Sequence, residues 1–117
     1  MSEAYRRGDI VLTVLSGDYG KPRPALVIQS DLFNETHASF VVCPISSELT
    51  GLTAFRVHLP ASEATGLRVE SEVMVDKMTA ARRERVRRRI GRAHRVQLLA
   101  VDSALRLWLG LGSKAIA

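Results

Sequence analysis

The chain has a single cysteine, Cys43, and aromatic residues make up only 5% of it. One thiol excludes an intrachain disulfide and any zinc site built on several cysteines. Cys43 lies in the apolar run Phe40-Val41-Val42-Cys43, where a thiol packs as a small, inert hydrophobe. Long hydrophobic runs are missing too. The first, Ile10 to Leu15, contains Thr13 and is too short for a secretory h-region or a membrane span. The chain therefore reads as cytoplasmic, with no membrane partner. A Walker-type glycine loop, a G-x-S-x-G elbow and a His/Cys/Asp/Glu cluster at metal-ligand spacing are all absent. His37, His58 and His94 sit on separate predicted elements, and none has a carboxylate at i+4. His37 is the least unsuited to catalysis, because it borders the Ser46-bearing strand. No metal and no cofactor are expected.

What is present describes an ordinary folded protein. The 117 residues suffice for one domain, 1–117, with 46% hydrophobic and 25% charged residues. A net charge of +5 and a pI of 10.1 point to an anionic partner. The excess is local: between Arg82 and Arg95 eight arginines stand against one acid, Glu84. A solvated face is the bland account of such a run. Lysine normally shares that role, however, and arginine alone favours forked contacts to phosphate or carboxylate.

Turn residues punctuate the chain between strand-length apolar runs. Strands are expected at Asp9–Leu15, Ala25–Gln29, Ala38–Ile45, Thr53–Leu59, Ser71–Met78 and Val86–Ile90. Ala25–Gln29 is apolar throughout, as in a strand covered on both faces, and Pro44 marks a strand end or bulge. Asp31–Thr36 is a short connector with room for one helical turn. From about Arg95 the period becomes helical: Leu98, Val101, Leu105, Trp108 and Leu109 recur at three and four, up to Gly110 and Gly112. Leu99, Leu107 and Leu111 widen that stripe beyond what one sheet needs, which suits either a subunit interface or a deeply buried helix. Six short strands and a terminal helix describe a mainly β (α+β) fold, a curved antiparallel sheet or partly open barrel.

The most specific stretch is Lys21-Pro22-Arg23-Pro24-Ala25-Leu26-Val27-Ile28. Each proline fixes its own φ near −65°, and Pro24 pushes Arg23 toward an extended conformation. A guanidinium held still at a strand entrance suits a phosphate, although a plain surface arginine in a proline-rich turn fits the same residues. An enzyme limited to arginine, hydroxyls and at most one carboxylate suits one reaction well. In RNA transphosphorylation the substrate's own 2′-OH is the nucleophile. The protein then needs to orient the chain and stabilise charge on phosphorus. Arginine itself is a poor general base, its pKa lying above ~12.

Several segments in order resemble the MazF/PemK/Kid toxin family: Arg7-Gly8-Asp9-Ile10-Val11, Arg23-Pro24-Ala25-Leu26-Val27-Ile28, Pro44-Ile45-Ser46-Ser47, Ser71-Glu72-Val73-Met74-Val75-Asp76-Lys77, and Arg89-Ile90-Gly91-Arg92 with the closing helix. They span roughly Arg7 to Leu111. The resemblance implies an SH3-like barrel of the CcdB/MazF type, forming a homodimer. It implies a metal-independent endoribonuclease that cuts single-stranded mRNA at a short sequence, leaving 2′,3′-cyclic phosphate and 5′-hydroxyl ends. A cognate antitoxin follows, with an acidic tail that covers the RNA channel and competes for the arginine-rich region.

By this resemblance Arg23 and Ser46 are catalytic. Serine stands where the family has threonine, keeping the hydroxyl but as a looser rotor. Tyr19, Lys21, Ser47, Asp76 and Lys77 are assigned to RNA, with Tyr19 stacking on a base for about 1–3 kcal/mol. For Asp76, base recognition ranks ahead of a structural hydrogen bond and of general-base duty. Met74 occupies the place of a second catalytic arginine in the Kid branch. Two other functions fit the same fold: a CcdB-like gyrase poison, which Trp108-Leu109-Gly110 faintly resembles, and an RNA-binding module without catalysis.

Overall fold

A computed structural model describes residues 4–112. Seven strands form one antiparallel, unclosed sheet: β1 (Asp9–Val14), β2 (Pro22–Val27), β3 (Ser39–Ser46), β4 (Arg56–Leu59), β5 (Ser71–Met74), β6 (Thr79–Arg82) and β7 (Val86–Arg92). The order is β4-β5-β3-β2-β1-β7, with β6 also paired to β3. A short helix α1 (Asp31–Asn34) follows β2, and α2 (Arg95–Leu109) closes the chain. None of the described helices is long and apolar enough to cross a membrane.

β3 is the pivot. One flank pairs with β2 through Val42–Pro44, while the other pairs first with β6 through Ser39–Val42 and then with β5 through Ile45–Ser46. Alternation along the central strands feeds two apolar layers. Ile10, Leu26, Cys43, Ile45 and Leu59 pack toward Val101 and Ala104 of α2. Val11, Ala25, Val27 and Val42 face the other way, around Phe40 and Tyr5, whose rings meet edge to face at 5.7 Å. β2 is thus covered on both sides, as its unbroken apolar run predicts. Cys43 is buried, and burial pushes its thiol up to about 12.

Three expectations need correction. The strand expected over Ser71–Met78 breaks after Met74 into a 3-10 turn, Val75–Lys77, and Thr79–Arg82 supplies a seventh strand. Propensity favours extension here, but the Val75 N–H donates to the Phe55 carbonyl at 3.1 Å and Arg56 grips Asp76, so the chain must turn. β2 begins at Pro22, which puts the two prolines inside the strand rather than in a turn before it. The strand expected from Thr53 starts only at Arg56.

α2 is capped at its start by His94, whose N–H donates to the Gln97 side chain at 2.7 Å, and at its end by Gly110 in the left-handed region, φ 69°. Arg7 ties it to the sheet, donating to the Ile28 carbonyl at 2.8 Å and to Asp102 at 2.6 Å. Only the first part of the apolar stripe is covered. Trp108 and Leu109 are 47% and 49% exposed, and Leu99, Leu107 and Leu111 are more exposed still. The helix is therefore not deeply buried.

Segment 61–69 is strapped over β7 by close backbone approach. The Arg92 N–H donates to the Ala64 carbonyl at 2.8 Å. A Cβ on Gly66, whose φ is +72°, would come within 2.0 Å of the Ile90 carbonyl oxygen, and one on Gly91 within 2.2 Å of Thr65 backbone. Gly66→Ala is expected to destabilise the fold by more than about 2 kcal/mol, since strain and backbone collision add. Gly112→Ala, in open space, is the control. Denaturant unfolding of both variants checks this, and equal midpoints would refute it.

Candidate active site

The β2–β3 register pairs Ala25 with Pro44, Leu26 with Cys43 and Val27 with Val42. Continued past its last pair, that register sets Arg23 across from Ser46. The ladder does not continue, because a proline has no N–H to give and β3 turns away to meet β5. Between the parted strands lies a groove of about 640 Å³, with Arg23, Ser46, Ser47 and Lys21 among its lining residues and Arg68 and Arg88 joining them. Leu12, Ile45, Leu67 and Ile90 line its apolar part. On the other side of Arg23 a cavity of about 310 Å³ is lined by Asp18, Met74 and Lys77.

Arg23 is held by Asp18, its Nε–H donating to Oδ2 at 2.9 Å. That leaves the terminal nitrogens of the fork without a partner among the described residues. Two turns of the β1–β2 connection bring Asp18 back: its N–H donates to the Leu15 carbonyl at 3.1 Å, and its own carbonyl accepts from Lys21 at 2.9 Å. Among the described residues Asp18 is the one carboxylate lining either cavity, and no histidine lines them. Sequence reasoning passed over it; its signal is an acid five residues before the positioned arginine, in a loop with room to fold back.

Ser46 Oγ accepts from the Glu48 N–H at 3.0 Å, which settles the rotor and leaves the hydroxyl proton to donate. Opposite Ser46 on β5 is Glu72, 5% exposed. Its Oε2 accepts from the Thr50 and Gly51 N–H groups at 3.1 and 3.0 Å, and Oε1 from Thr50 Oγ1 at 2.9 Å. Burial pushes this carboxyl up, but those three hydrogen bonds and the Arg56 charge together hold it below the usual range. Glu72 thereby anchors the loop that follows Ser46 and Ser47.

This constellation sits on a chain that matches, over residues 6–109, the family described as PemK-like, MazF-like toxin of type II toxin–antitoxin systems. The chain belongs to that family. It is 39% identical over 107 residues to a Mycolicibacterium smegmatis protein named probable endoribonuclease MazF, covering 91% of this chain and 97% of that one. It is 32% identical over 117 residues to endoribonuclease MazF9 of Mycobacterium tuberculosis, covering 92% and 98%. Among solved structures, a MazE–MazF crystal structure from Deinococcus radiodurans superposes with a TM-score of 0.78 at 26% identity, covering 94% and 100%.

Other residues that the toxin resemblance singles out are spread unevenly around this site. Lys21 and Ser47 line the groove; Lys77 and Met74 line the smaller cavity beside Arg23. Tyr19 stands fully exposed at the loop tip with φ 53° and lines neither. Asp76 lines neither as well. Both its oxygens accept from Arg56, at 2.7 and 3.1 Å, and the two side chains are each 12% exposed. The Arg56 hydrogen bond holds the Asp76 carboxyl below its usual range. This geometry favours the structural hydrogen bond over base recognition.

His37 lies by Ser39 at the start of β3, its ring Nδ1 within 3.2 Å of the Ser39 backbone, so it stands at the opposite end of the strand from Ser46. The arginine run is likewise not one face. Arg83 donates to the Asn34 and His37 carbonyls and lies 4.4 Å over the Phe40 ring, Arg92 donates to buried Asp9, and Arg82 pairs with Glu84. Arg88 alone of the run lines the groove.

Since folding lowers the pKa of Glu72, its stabilising contribution is whole above the ordinary value of 4.5 and fades as pH falls through the lower folded value. Glu72→Gln is expected to destabilise by about 1–3 kcal/mol at pH 7. The gap from wild type should narrow at acid pH. Urea unfolding at pH 7 and pH 3.5 measures both, and a gap that widens in acid would refute the assignment.

Proposed function

We propose that this chain is the RNA-cleaving toxin of a type II toxin–antitoxin pair, a cytoplasmic endoribonuclease acting on single-stranded mRNA. The observation that carries the reading is a guanidinium fixed by Asp18 and facing a serine hydroxyl across a groove whose lining has no carboxylate. A phosphodiester laid between Arg23 and Ser46 meets a charged fork and a hydroxyl donor at once. The substrate's O2′–P bond forms while the P–O5′ bond breaks, which leaves a 2′,3′-cyclic phosphate and a 5′-hydroxyl. Arg23 stabilises the charge that builds on the non-bridging oxygens, Ser46 donates a hydrogen bond to the same group, and Asp18 keeps the fork in place. Lys21 and Ser47 contact the strand, Lys77 flanks the site, and Tyr19 is free to stack on a base.

The partners follow from the surface. The exposed apolar face of α2, with Leu99, Leu107, Trp108 and Leu109, suits a second copy of the chain. The cationic groove suits the acidic tail of an antitoxin. Trp108 and Gly110 need no gyrase-poison role, since Trp108 packs on Phe55 at 5.2 Å and Gly110 caps the helix.

Incubation with a long single-stranded RNA in excess EDTA tests the reaction. Discrete fragments ending in cyclic phosphate are expected, and Arg23→Ala should lower kcat by about 10²–10³-fold. RNA bound but uncut would identify the non-catalytic module, and trapped gyrase–DNA complexes the poison. Light scattering at micromolar concentration should give twice the chain mass; a monomer would remove the dimer.

A further inference from the structure

We propose that Arg68 and Arg88 form a second phosphate site in the groove, for the RNA phosphate adjoining the one held by Arg23. The inference rests on the nuclease reading of the same groove and extends it to two further residues that line it. The lining residues carry four cations, Lys21, Arg23, Arg68 and Arg88, and no acid. Several other arginines of this fold are committed to the protein itself: Arg7 to Asp102, Arg56 to Asp76, Arg92 to Asp9 and Arg83 to backbone oxygens. Among the described residues Arg68 and Arg88 have no ion pair or side-chain hydrogen bond, and both are exposed.

Their supports are rigid. Arg68 follows buried Leu67 on the strap that Gly66 and Gly91 let down onto β7. Arg88 projects from β7, paired with Leu12 of β1, and Leu12 lines the groove too. The same groove is lined by the apolar side chains of Leu12, Ile45, Leu67 and Ile90. A lining that combines apolar side chains with four cations suits a nucleoside together with more than one phosphate. Its volume of about 640 Å³ falls within the ~300–1,000 Å³ of sites that take small ligands. Unopposed charge over low-dielectric walls concentrates the field in the groove.

The test begins with wild-type protein and a long single-stranded RNA. An oligonucleotide spanning one cut site is then made with deoxyribose at the cut position, so that it binds without a nucleophile. Affinity is measured from low to high salt for wild type, Arg68→Ala, Arg88→Ala and Arg87→Ala. Arg87 is exposed on β7 but lines neither cavity, so it controls for bulk charge. Each groove variant should flatten the slope of log K against log salt by up to ~0.7, the loss of one single-strand phosphate contact. KM on cleavable RNA should rise about tenfold with kcat held. Unchanged slopes, equal flattening by Arg87→Ala, or a fall in kcat at constant KM would overturn the site. Should wild type leave the RNA intact, the nuclease reading fails by that result, and the slopes read on the uncut RNA still decide whether these arginines hold phosphate.

Discussion

Pro22, Pro24 and Pro44 lack the N–H that a sheet ladder needs, and all three stand where β2 and β3 part company. Pro22 and Pro24 are tolerated inside β2 because β1 pairs with them on one flank and no strand pairs with them on the other. Pro44 falls where β3 leaves β6 and takes up β5. A sheet zipped to its end would have no groove here. The same prolines limit φ around Arg23, so the residue that borders the gap is also the one with least freedom to wander.

Two sets of arginines can be told apart by what they face. One set of arginines joins elements distant in sequence: Arg7 links β1's approach to α2, Arg56 links β4 to the turn after β5, and Arg92 links β7 to Asp9 at the start of β1. Such pairs contribute little net stability against the cost of desolvation, but removing one partner would strand the other. They fix which elements meet. The second set faces a groove that no acidic residue lines. Structural arginines are thus neutralised locally, while the groove keeps its potential for an anion.

Much of this was legible in the residues. Apolar and β-branched runs between turn residues place β1, most of β3 and β7, and the 3.6-residue period places α2, each within a few positions. Arg23 and Ser46 stand out through motifs whose backbone demands are local. The rest depends on tertiary events. Val73 and Val75 read as one strand until the Arg56–Asp76 pair, twenty residues apart, turns the chain between them. Asp18 acquires meaning only once its loop has folded back onto Arg23. Arg68 looks like any arginine of a polar connector until the strap across β7 brings it to the groove. Glu72, alternating with valine on a short strand, gives no hint that it is buried and holds the turn after Ser46.

Trp108 is the chain's only tryptophan, and it sits half-covered on Phe55 within the unpartnered face of α2. Indole emission moves with the polarity around the ring, so this position makes the protein its own optical gauge. Whatever settles on that face alters the tryptophan signal directly, whereas RNA entering the groove has no other tryptophan to disturb. Occupancy of the two surfaces can therefore be told apart in one cuvette, with no label attached.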